Sequence, residues 1–185
     1  LEKMNQLIAI DPIGLSIEVE TGMILENLQD AVKHAGFYFP LDFAAKGSAQ
    51  IGGAIATNAG GVKVIKYGMT RDLVLGLEVI LMDGSVLNLN RKLIKDNSGY
   101  NLNQLFIGSE GTLGVITAAV MKLVPRPRAY ATATLAARSL PDALILLNRL
   151  QEATGGAVEA FEYMPDTYMR RLAEARPDIR QPFTP

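Results

Sequence analysis

The chain has no cysteine and a single histidine among its 185 residues. The missing cysteines exclude disulfide scaffolds, cysteine-based zinc sites, iron–sulfur clusters and cysteine nucleophiles. One histidine is too few for a histidine-rich metal site. The sequence therefore predicts no metal site in this chain, and a core held by packing alone, which a chain of this length can form.

An excess of one charge and a long apolar run are also missing. Lys and Arg number 18 and Asp and Glu number 19, which leaves a net charge of −1 and no electrostatic footprint for a nucleic acid. The longest apolar stretch, residues 73–82, is broken by Gly76 and Glu78 and is shorter than the ~18 residues of a membrane span. Residues 1–6 contain no signal-peptide core. We expect a cytoplasmic protein, or one held peripherally at a membrane, with no nucleic-acid partner and no membrane span.

Proline is absent between Pro40 and Pro125, whereas 13 of the 17 glycines lie between Gly36 and Gly114. A flexible linker would not retain the apolar runs of this segment. We interpret it as closely packed backbone that serves a ligand.

A change in composition at the prolines of residues 125–127 predicts a domain boundary. Beyond them the chain becomes rich in Ala and Leu. We place the first domain over residues 1–124 and the second over residues 128–185. Since the chain begins with Leu1 rather than Met, we expect it to be the interior of a longer protein.

Hydrophobic periodicity predicts a mixed α and β structure for the first domain. Its strands are predicted over residues 7–10, 16–20, 73–82, 85–89 and 114–123. A helix is predicted over residues 23–35, with Thr21 as its N-cap and Gly36 as its C-cap. In the second domain the pattern predicts a strand over 130–136, a helix over 141–153 and a strand over 157–163.

The first of two glycine-rich segments runs from Ile51 to Gly61 and reads IGGAIATNAGG. Its small side chains would let a flat or anionic group approach the backbone, where successive N–H groups can converge on oxygen atoms. It matches neither G-x-G-x-x-G nor G-x-x-x-x-G-K-[ST], so the usual signals of a nicotinamide dinucleotide or nucleoside triphosphate site are missing. The alternative is a glycine-rich turn that packs two helices or strands.

Three cations follow this segment, at Lys63, Lys66 and Arg71. They could face a phosphate or an acidic substrate, and a solvated loop is the alternative interpretation.

The second segment runs from Gly108 to Gly114, reads GSEGTLG and precedes an apolar strand. Three glycines spaced by three residues allow the backbone to turn sharply. Glu110 at this turn can accept hydrogen bonds from hydroxyl or amide donors. By itself the segment also fits a turn with a solvated glutamate.

Taken together and in this order, the two segments resemble the FAD-binding domain of the vanillyl-alcohol-oxidase type. Within that fold they resemble the FAD-linked oxidases that act on D-2-hydroxy acids, a group that includes D-lactate dehydrogenase, the glycolate oxidase flavin subunit and D-2-hydroxyglutarate dehydrogenase. The resemblance is nearly continuous over residues 15–125. Its other matching segments are VETG at 19–22, YG at 67–68, LEVIL and DG within 77–84, and KDNSGY at 95–100.

This resemblance implies an α+β fold and an incomplete enzyme. Residues 1–124 would be the second subdomain of a two-subdomain FAD-binding domain, and residues 128–185 the start of an α+β cap, the C-terminal substrate domain of FAD-linked oxidases. The family's pyrophosphate loop would precede residue 1. Its His-x-Gly-Asp-Gly-Asn segment and a later histidine pair, which supply metal or substrate ligands, would follow residue 185. A divalent metal is therefore compatible with the missing C-terminal part and is not expected in this chain.

The resemblance also assigns cofactor-binding residues by position. On the flavin and pyrophosphate side it implies Ser48, Gln50, Thr57, Asn58, Ala59 and Gly60, with Gly52 and Gly53 allowing close approach. Near the ribityl or adenosine part it implies Glu110, Gly114, Val115 and Ile116. Covalent attachment in this fold uses His or Cys, and His34 lies in a predicted helix, so noncovalent FAD is expected. No catalytic residue is identified in this chain.

The implied activity is oxidation of a small D-2-hydroxy acid, of the lactate, glycolate or 2-hydroxyglutarate type, to the 2-oxo acid by hydride transfer to flavin N5. Its partners would be that substrate, an unknown electron acceptor, and a second copy or a partner subunit. A non-catalytic FAD-binding subunit that passes electrons within a complex is the alternative. A degenerate fragment that binds nothing is a third.

Overall fold

The computed structural model describes residues 1–183 and divides the chain into two compact units, residues 1–128 and residues 129 onward. We describe each unit by itself. The identification of these units as a flavin subdomain and the start of a cap stays a prediction.

A five-stranded antiparallel sheet forms the centre of the first unit. Its strand order is β1-β2-β6-β4-β5. The strands are β1 (Leu7–Asp11), β2 (Ser16–Glu20), β4 (Val74–Ile80), β5 (Val86–Asn88) and β6 (Val115–Lys122). This confirms all five predicted strands and the mixed α and β class. β6 lies between β2 and β4, so the centre of the sheet is built by segments far apart in the sequence.

Helix α1 (Leu25–His34) shares a hydrophobic core with one face of the sheet. Alternate residues of the strands, such as Ile17 and Leu77, point toward the same core as Leu28 and Val32 of this helix, and all four are fully buried. Burial of apolar surface of this kind is the main stabilising contribution to the unit.

The start of α1 corrects one prediction. Ile24 is the N-cap residue, not Thr21. Thr21 is fully buried and its hydroxyl donates a hydrogen bond to the carbonyl of Ile116 in β6. Four residues, 21–24, separate the end of β2 from the start of the helix. The predicted C-cap is also one residue off, since Ala35 is the C-cap and Gly36 follows it with a φ of +85°, a conformation that glycine adopts without steric cost.

Short elements complete the first unit. A two-stranded sheet pairs β3 (Phe37–Tyr38) with β7 (Val124–Pro125). The helical elements are a 3₁₀ turn (Ala44–Gly47), α2 (Ile51–Ala56), α3 (Val64–Tyr67), α4 (Thr70–Leu73) and α5 (Asn103–Phe106). The first glycine-rich segment therefore begins as a helix rather than as a loop.

In the second unit the predicted helix is confirmed as α6 (Leu140–Thr154). Ser139 caps it by accepting a hydrogen bond from the N–H of Asp142, and Gly155 ends it in a left-handed conformation. A further helix, α7 (Asp166–Ala175), was not predicted.

The two strands predicted for the second unit are wrong. Neither residues 130–136 nor residues 157–163 form a strand, and no other strand occurs between residues 129 and 183. The apolar pattern is present, but a strand requires a hydrogen-bonded neighbour, and none is available within this part of the unit. Within residues 1–183 no helix has the length and apolar character that crossing a membrane requires.

Candidate functional site

Helix α2 carries the first half of the first glycine-rich segment and is anchored by its inner face. The N–H of Gly52 donates to the carbonyl of Thr21 at 2.7 Å, and the N–H of Ile51 donates to that of Met23 at 2.9 Å. A Cβ on Gly52 would lie 2.9 Å from the Cβ of Thr21. The missing side chain at Gly52 is thus explained by packing within the chain, and a role for it in cofactor approach stays a prediction.

The outer face of α2 differs from the inner one. Gly53 is exposed, and a Cβ built there meets no atom within 4 Å. One helical turn later, Thr57 is also exposed and its hydroxyl donates to the carbonyl of Gly53 at 2.9 Å. Gly53 and Thr57 therefore form an exposed part of the helix surface that carries no bulky side chain.

The turn after α2 is held by contacts with α4. Asn58 has a φ of +46°, and its side-chain oxygen accepts a hydrogen bond from the N–H of Arg71 at 2.9 Å. The carbonyl of Ala59 accepts from both the N–H and the hydroxyl of Thr70, at 3.0 and 2.6 Å.

Gly60 faces a side chain of its own chain rather than open space. A Cβ there would lie 3.0 Å from the Cε and Sδ atoms of Met69 and 3.4 Å from a methyl group of Val64. The expectation that Gly60 leaves room for a cofactor therefore has a competing explanation in packing, although Met69 is flexible and its end can move.

The structure brings the two glycine-rich segments together. The N–H of Gly108 donates to the carbonyl of Ile55 at 3.1 Å, and the N–H of Glu110 donates to that of Ala56 at 2.9 Å. Carbonyls at the end of a helix lack partners within it, so the second segment caps the C-terminal end of α2. Glu110 is exposed and has a φ of +52°.

Beyond this turn the predicted residues enter β6. A Cβ on Gly114 would lie 2.8 Å from both the carbonyl oxygen of Ile80 and a methyl group of Val79, so β4 leaves no room for a side chain there. Val115 is 47 % exposed, whereas Ile116 is buried with its carbonyl bound to Thr21. Of these three residues, Val115 is the one with an exposed side chain.

Ser48 and Gln50 lie at the opposite end of α2. Ser48 is exposed and its hydroxyl lies 3.3 Å from the carbonyl of Ala45. Gln50 is the N-cap residue of α2 and is half-buried. It borders an open surface depression whose other lining residues are Glu2, Asn5, Gly22, Ile24 and Asn27. At 1.5 Å per residue, the six-residue helix separates Ser48 and Gln50 from the 108–110 turn by about 9 Å.

Free backbone N–H donors lie on the two glycine-rich segments. Among the described residues no group accepts a hydrogen bond from the N–H of Gly53, Gly60 or Gly111, and all three residues are exposed. Unpaired N–H groups on small residues suit the oxygens of an anionic or carbonyl-bearing cofactor.

The three cations near the first segment are engaged within the chain. Lys63 contacts the hydroxyl of Tyr38 and lies 4.8 Å above its ring, and Lys66 lies 5.0 Å from the centre of the Tyr67 ring. Arg71 donates to backbone and side-chain oxygens around α5. The sequence shows the charges but not these partners, and neither of the two predicted interpretations, a contact with an anion or a solvated loop, includes them.

Comparison with known proteins finds a family match for the first part of the chain. Residues 1–90 match the family described as FAD binding domain, a match that includes α2 and the first glycine-rich segment. The predicted relationship to FAD-linked proteins is thereby confirmed.

Curated relatives extend the likeness of this chain beyond residue 90. It is 45% identical over 167 residues to D-2-hydroxyglutarate dehydrogenase, mitochondrial, of Bos taurus, covering 90% of this chain and 31% of the relative. It is 44% identical over 181 residues to the protein of the same name from Danio rerio, covering 98% of this chain and 34% of the relative. It is 39% identical over 180 residues to D-2-hydroxyglutarate dehydrogenase of Stutzerimonas stutzeri (strain A1501), covering 97% of this chain and 38% of the relative. The chain thus spans about a third of the length of these relatives.

A solved structure of alkyldihydroxyacetonephosphate synthase is similar in fold to this chain. The TM-score is 0.62 at 28% sequence identity, with 70% of this chain and 23% of that one covered. A second crystal form of the same protein gives the same TM-score at 27% identity. The mixed α/β architecture with an antiparallel sheet is therefore one that a solved protein also adopts.

Proposed function

We propose that this chain is the FAD-holding part of an enzyme that oxidises a small D-2-hydroxy acid to the 2-oxo acid, with D-2-hydroxyglutarate as the first substrate to test. The observation that carries the proposal is the junction of the two glycine-rich segments through Ile55, Ala56, Gly108 and Glu110. This junction creates one continuous surface from two segments that are distant in the sequence. The names of the relatives support the choice of substrate class.

The residues on this surface fit FAD in size and in hydrogen-bonding character. Gly53 and Thr57 offer a flat strip without bulky side chains, and the free N–H groups of Gly53, Gly60 and Gly111 offer donors for phosphate and flavin oxygens. We assign direct cofactor contacts to Ser48, Gln50, Gly53, Thr57, Asn58, Ala59, Gly60, Glu110 and Val115, and for the buried Gly52, Gly114 and Ile116 a contact stays a prediction from the resemblance.

Attachment of FAD is proposed to be noncovalent. The chain offers no cysteine. The ring of its single histidine, His34, lies in the last turn of α1 with Nδ1 2.7 Å from the carbonyl of Asp30.

In this proposal the chain holds and orients the cofactor, and the redox chemistry belongs to the cofactor. Bound FAD would supply the acceptor for the hydride that leaves the α-carbon of the substrate. The N–H groups along α2 and the 108–111 turn orient the cofactor, and the apolar residues behind them, Ile51 and Ile55, exclude water from the inner side of the helix. We assign neither the base that takes the hydroxyl proton nor a metal ligand to residues 1–183.

The finer assignments belong to the same proposal. Residues 1–124 would be the second subdomain of a two-subdomain FAD-binding domain, and residues 128–185 the start of the cap. We assign the electron acceptor, and a second copy or a partner subunit, to the rest of the assembly. A divalent metal would also be bound there rather than by this chain.

The test is an absorption spectrum of the purified full-length protein that contains this chain, followed by anaerobic addition of substrates. We expect a bound flavin whose visible band is bleached by D-2-hydroxyglutarate, D-lactate or glycolate and not by L-2-hydroxyglutarate. Release of the flavin on acid denaturation would confirm noncovalent attachment. A flavin that no hydroxy acid bleaches would contradict the enzymatic proposal and favour an electron-transferring subunit. Absence of FAD after reconstitution would contradict both.

A further inference from the structure

We propose that Arg71 is a positioning residue that sets the two glycine-rich segments against each other, and that FAD affinity depends on its planar guanidinium rather than on its charge. The proposal rests on the proposed function because FAD is the ligand measured. Arg71 lies in α4, half-buried, between the turn that follows α2 and the turn that precedes β6.

The guanidinium of Arg71 reaches the residues that precede the second glycine-rich segment. Nη1 donates to the backbone carbonyl of Gln104 at 3.1 Å and also to the side-chain oxygen of Gln104. Nη2 donates to the carbonyl of Ile107 at 2.7 Å. Two nitrogens in a fixed plane thus hold the two ends of one short backbone stretch, a geometry that lysine with its single nitrogen cannot reproduce.

The backbone of the same residue holds the first segment. Its N–H donates to the side-chain oxygen of Asn58 at 2.9 Å. Asn58 has a φ of +46°, a conformation that asparagine tolerates better than most residues and that costs energy unless its surroundings hold it.

The two segments and Arg71 pack side by side at Gly108. A Cβ built on Gly108 would lie 3.4 Å from the Cβ of Asn58 and 3.5 Å from Nη2 of Arg71. Arg71 therefore binds one segment through its backbone and the other through its side chain, and both flank the same residue.

Loss of the guanidinium would release the carbonyls of Gln104 and Ile107 from a charged donor. The start of the 108–114 turn would then be free to shift relative to α2, and the N–H groups on the two segments would no longer converge on one cofactor. A direct attraction between the Arg71 charge and the FAD pyrophosphate is the competing explanation, and it predicts that lysine can replace arginine.

The experiment compares Arg71→Lys and Arg71→Ala with the parent, all as the full-length protein, by fluorescence titration with FAD. Loss of the three hydrogen bonds that the guanidinium donates should raise the dissociation constant about tenfold or more. We expect a similar loss in both variants, a changed visible circular dichroism of the bound flavin, and partial restoration of Arg71→Ala by millimolar guanidinium but not by equal ammonium. Arg91→Ala is the matched control, because Arg91 binds Asp96 and Ser98 on another loop, and it should bind FAD like the parent.

Two outcomes would overturn the proposal. Parent-like affinity and spectrum in Arg71→Ala would show that the residue is not needed, and full affinity in Arg71→Lys would show that its charge acts directly. Hydrogen exchange of the FAD-free protein provides an independent measurement, with faster exchange expected in residues 57–61 and 108–114 of Arg71→Lys. Unchanged exchange there would also overturn it, whereas failure of the parent to bind FAD would contradict the proposed function alone.

Discussion

The hydroxyl of Thr21 donates a hydrogen bond to the backbone carbonyl of Ile116, 95 positions later, at an O···O distance of 2.5 Å. Thr21 also donates its N–H to the carbonyl of Thr117 and accepts the N–H of Gly52. This fully buried residue thus connects β2, β6 and α2, the three elements that place the candidate site on the sheet.

Replacing Thr21 with valine should destabilise the first unit. Valine has nearly the same shape, so the carbonyl of Ile116 would be left buried without its hydroxyl partner, at a cost of about 1–3 kcal/mol. Urea unfolding measures this free energy, and Thr21→Ser, which retains the hydroxyl, is the control. Equal stability of the valine and serine variants would show that the hydrogen bond contributes nothing.

Gly76 in β4 allows the chain to cross the outer face of the sheet. A Cβ there would lie 2.8 Å from the N of Arg91, the Cα of Asn90 and the O of Leu89. Gly76→Ala should therefore push residues 89–91 away and cost about 1–3 kcal/mol through overpacking. Limited trypsin digestion should detect faster cleavage after Arg91 than in the parent, and an unchanged cleavage rate would contradict the close approach.

The Asp96 carboxylate organises the exposed loop that contains residues 91–98. It accepts hydrogen bonds from the hydroxyl of Ser98, from the guanidinium of Arg91 and from the N–H of Ser98. These donors hold the pKa of Asp96 well below its ordinary value of 3.8, with the Ser98 hydroxyl contributing most. A carboxyl whose pKa is lowered by folding stabilises the folded loop at pH values above the pKa of that carboxyl in the unfolded chain. This stabilisation is lost as the pH falls below that pKa and toward the lower pKa of the folded loop.

Amide exchange at residues 96–98 should therefore be slower in the parent than in Asp96→Asn near neutral pH. The difference should shrink as pH falls below 3.8, the value for an unperturbed carboxyl. Ser98→Ala should show a smaller version of the same effect. A difference between parent and Asp96→Asn that is independent of pH would show that the charge of Asp96 does not organise the loop.

The elements that the sequence predicted well are those with a strong local pattern. Apolar residues between turn signals identified β2 and β4, and the spacing of Leu25, Leu28 and Val32 identified α1. The position of β6 between β2 and β4 could not be read from the sequence, because strand order depends on pairing between segments about a hundred residues apart. The failure in residues 130–136 and 157–163 has the same origin, since apolar alternation gives a strand only where a neighbouring strand exists.

The candidate site was predicted as a set of residues but not as an arrangement. The sequence marks Gly52 and Gly53 alike, whereas the structure packs Gly52 on Thr21 and leaves Gly53 open. Which of two adjacent helix residues faces inward is decided by contacts with a distant strand. The role of Arg71 was hidden for a similar reason, because its partners Gln104 and Ile107 lie more than thirty positions away.

Gly52 and Gly53 therefore give a matched pair of substitutions that separates folding from cofactor binding. Gly52→Ala would place its Cβ 2.9 Å from that of Thr21, so it should cost about 1–3 kcal/mol of stability through overpacking. Gly53→Ala meets no atom of the chain within 4 Å. Since alanine favours a helix over glycine by about 1 kcal/mol, this variant should be as stable as the parent or more so.

The Gly53→Ala variant should bind FAD more weakly than the parent, although it should be at least as stable as the parent. Its methyl group would project from the face that we assign to the cofactor, so FAD should dissociate more readily from a protein that unfolds at the same or a higher urea concentration. Urea unfolding without cofactor and fluorescence titration with FAD measure the two quantities separately. Parent-like FAD affinity in Gly53→Ala would place the cofactor elsewhere, because a methyl group on the contact face cannot be accommodated without displacing a closely bound ligand.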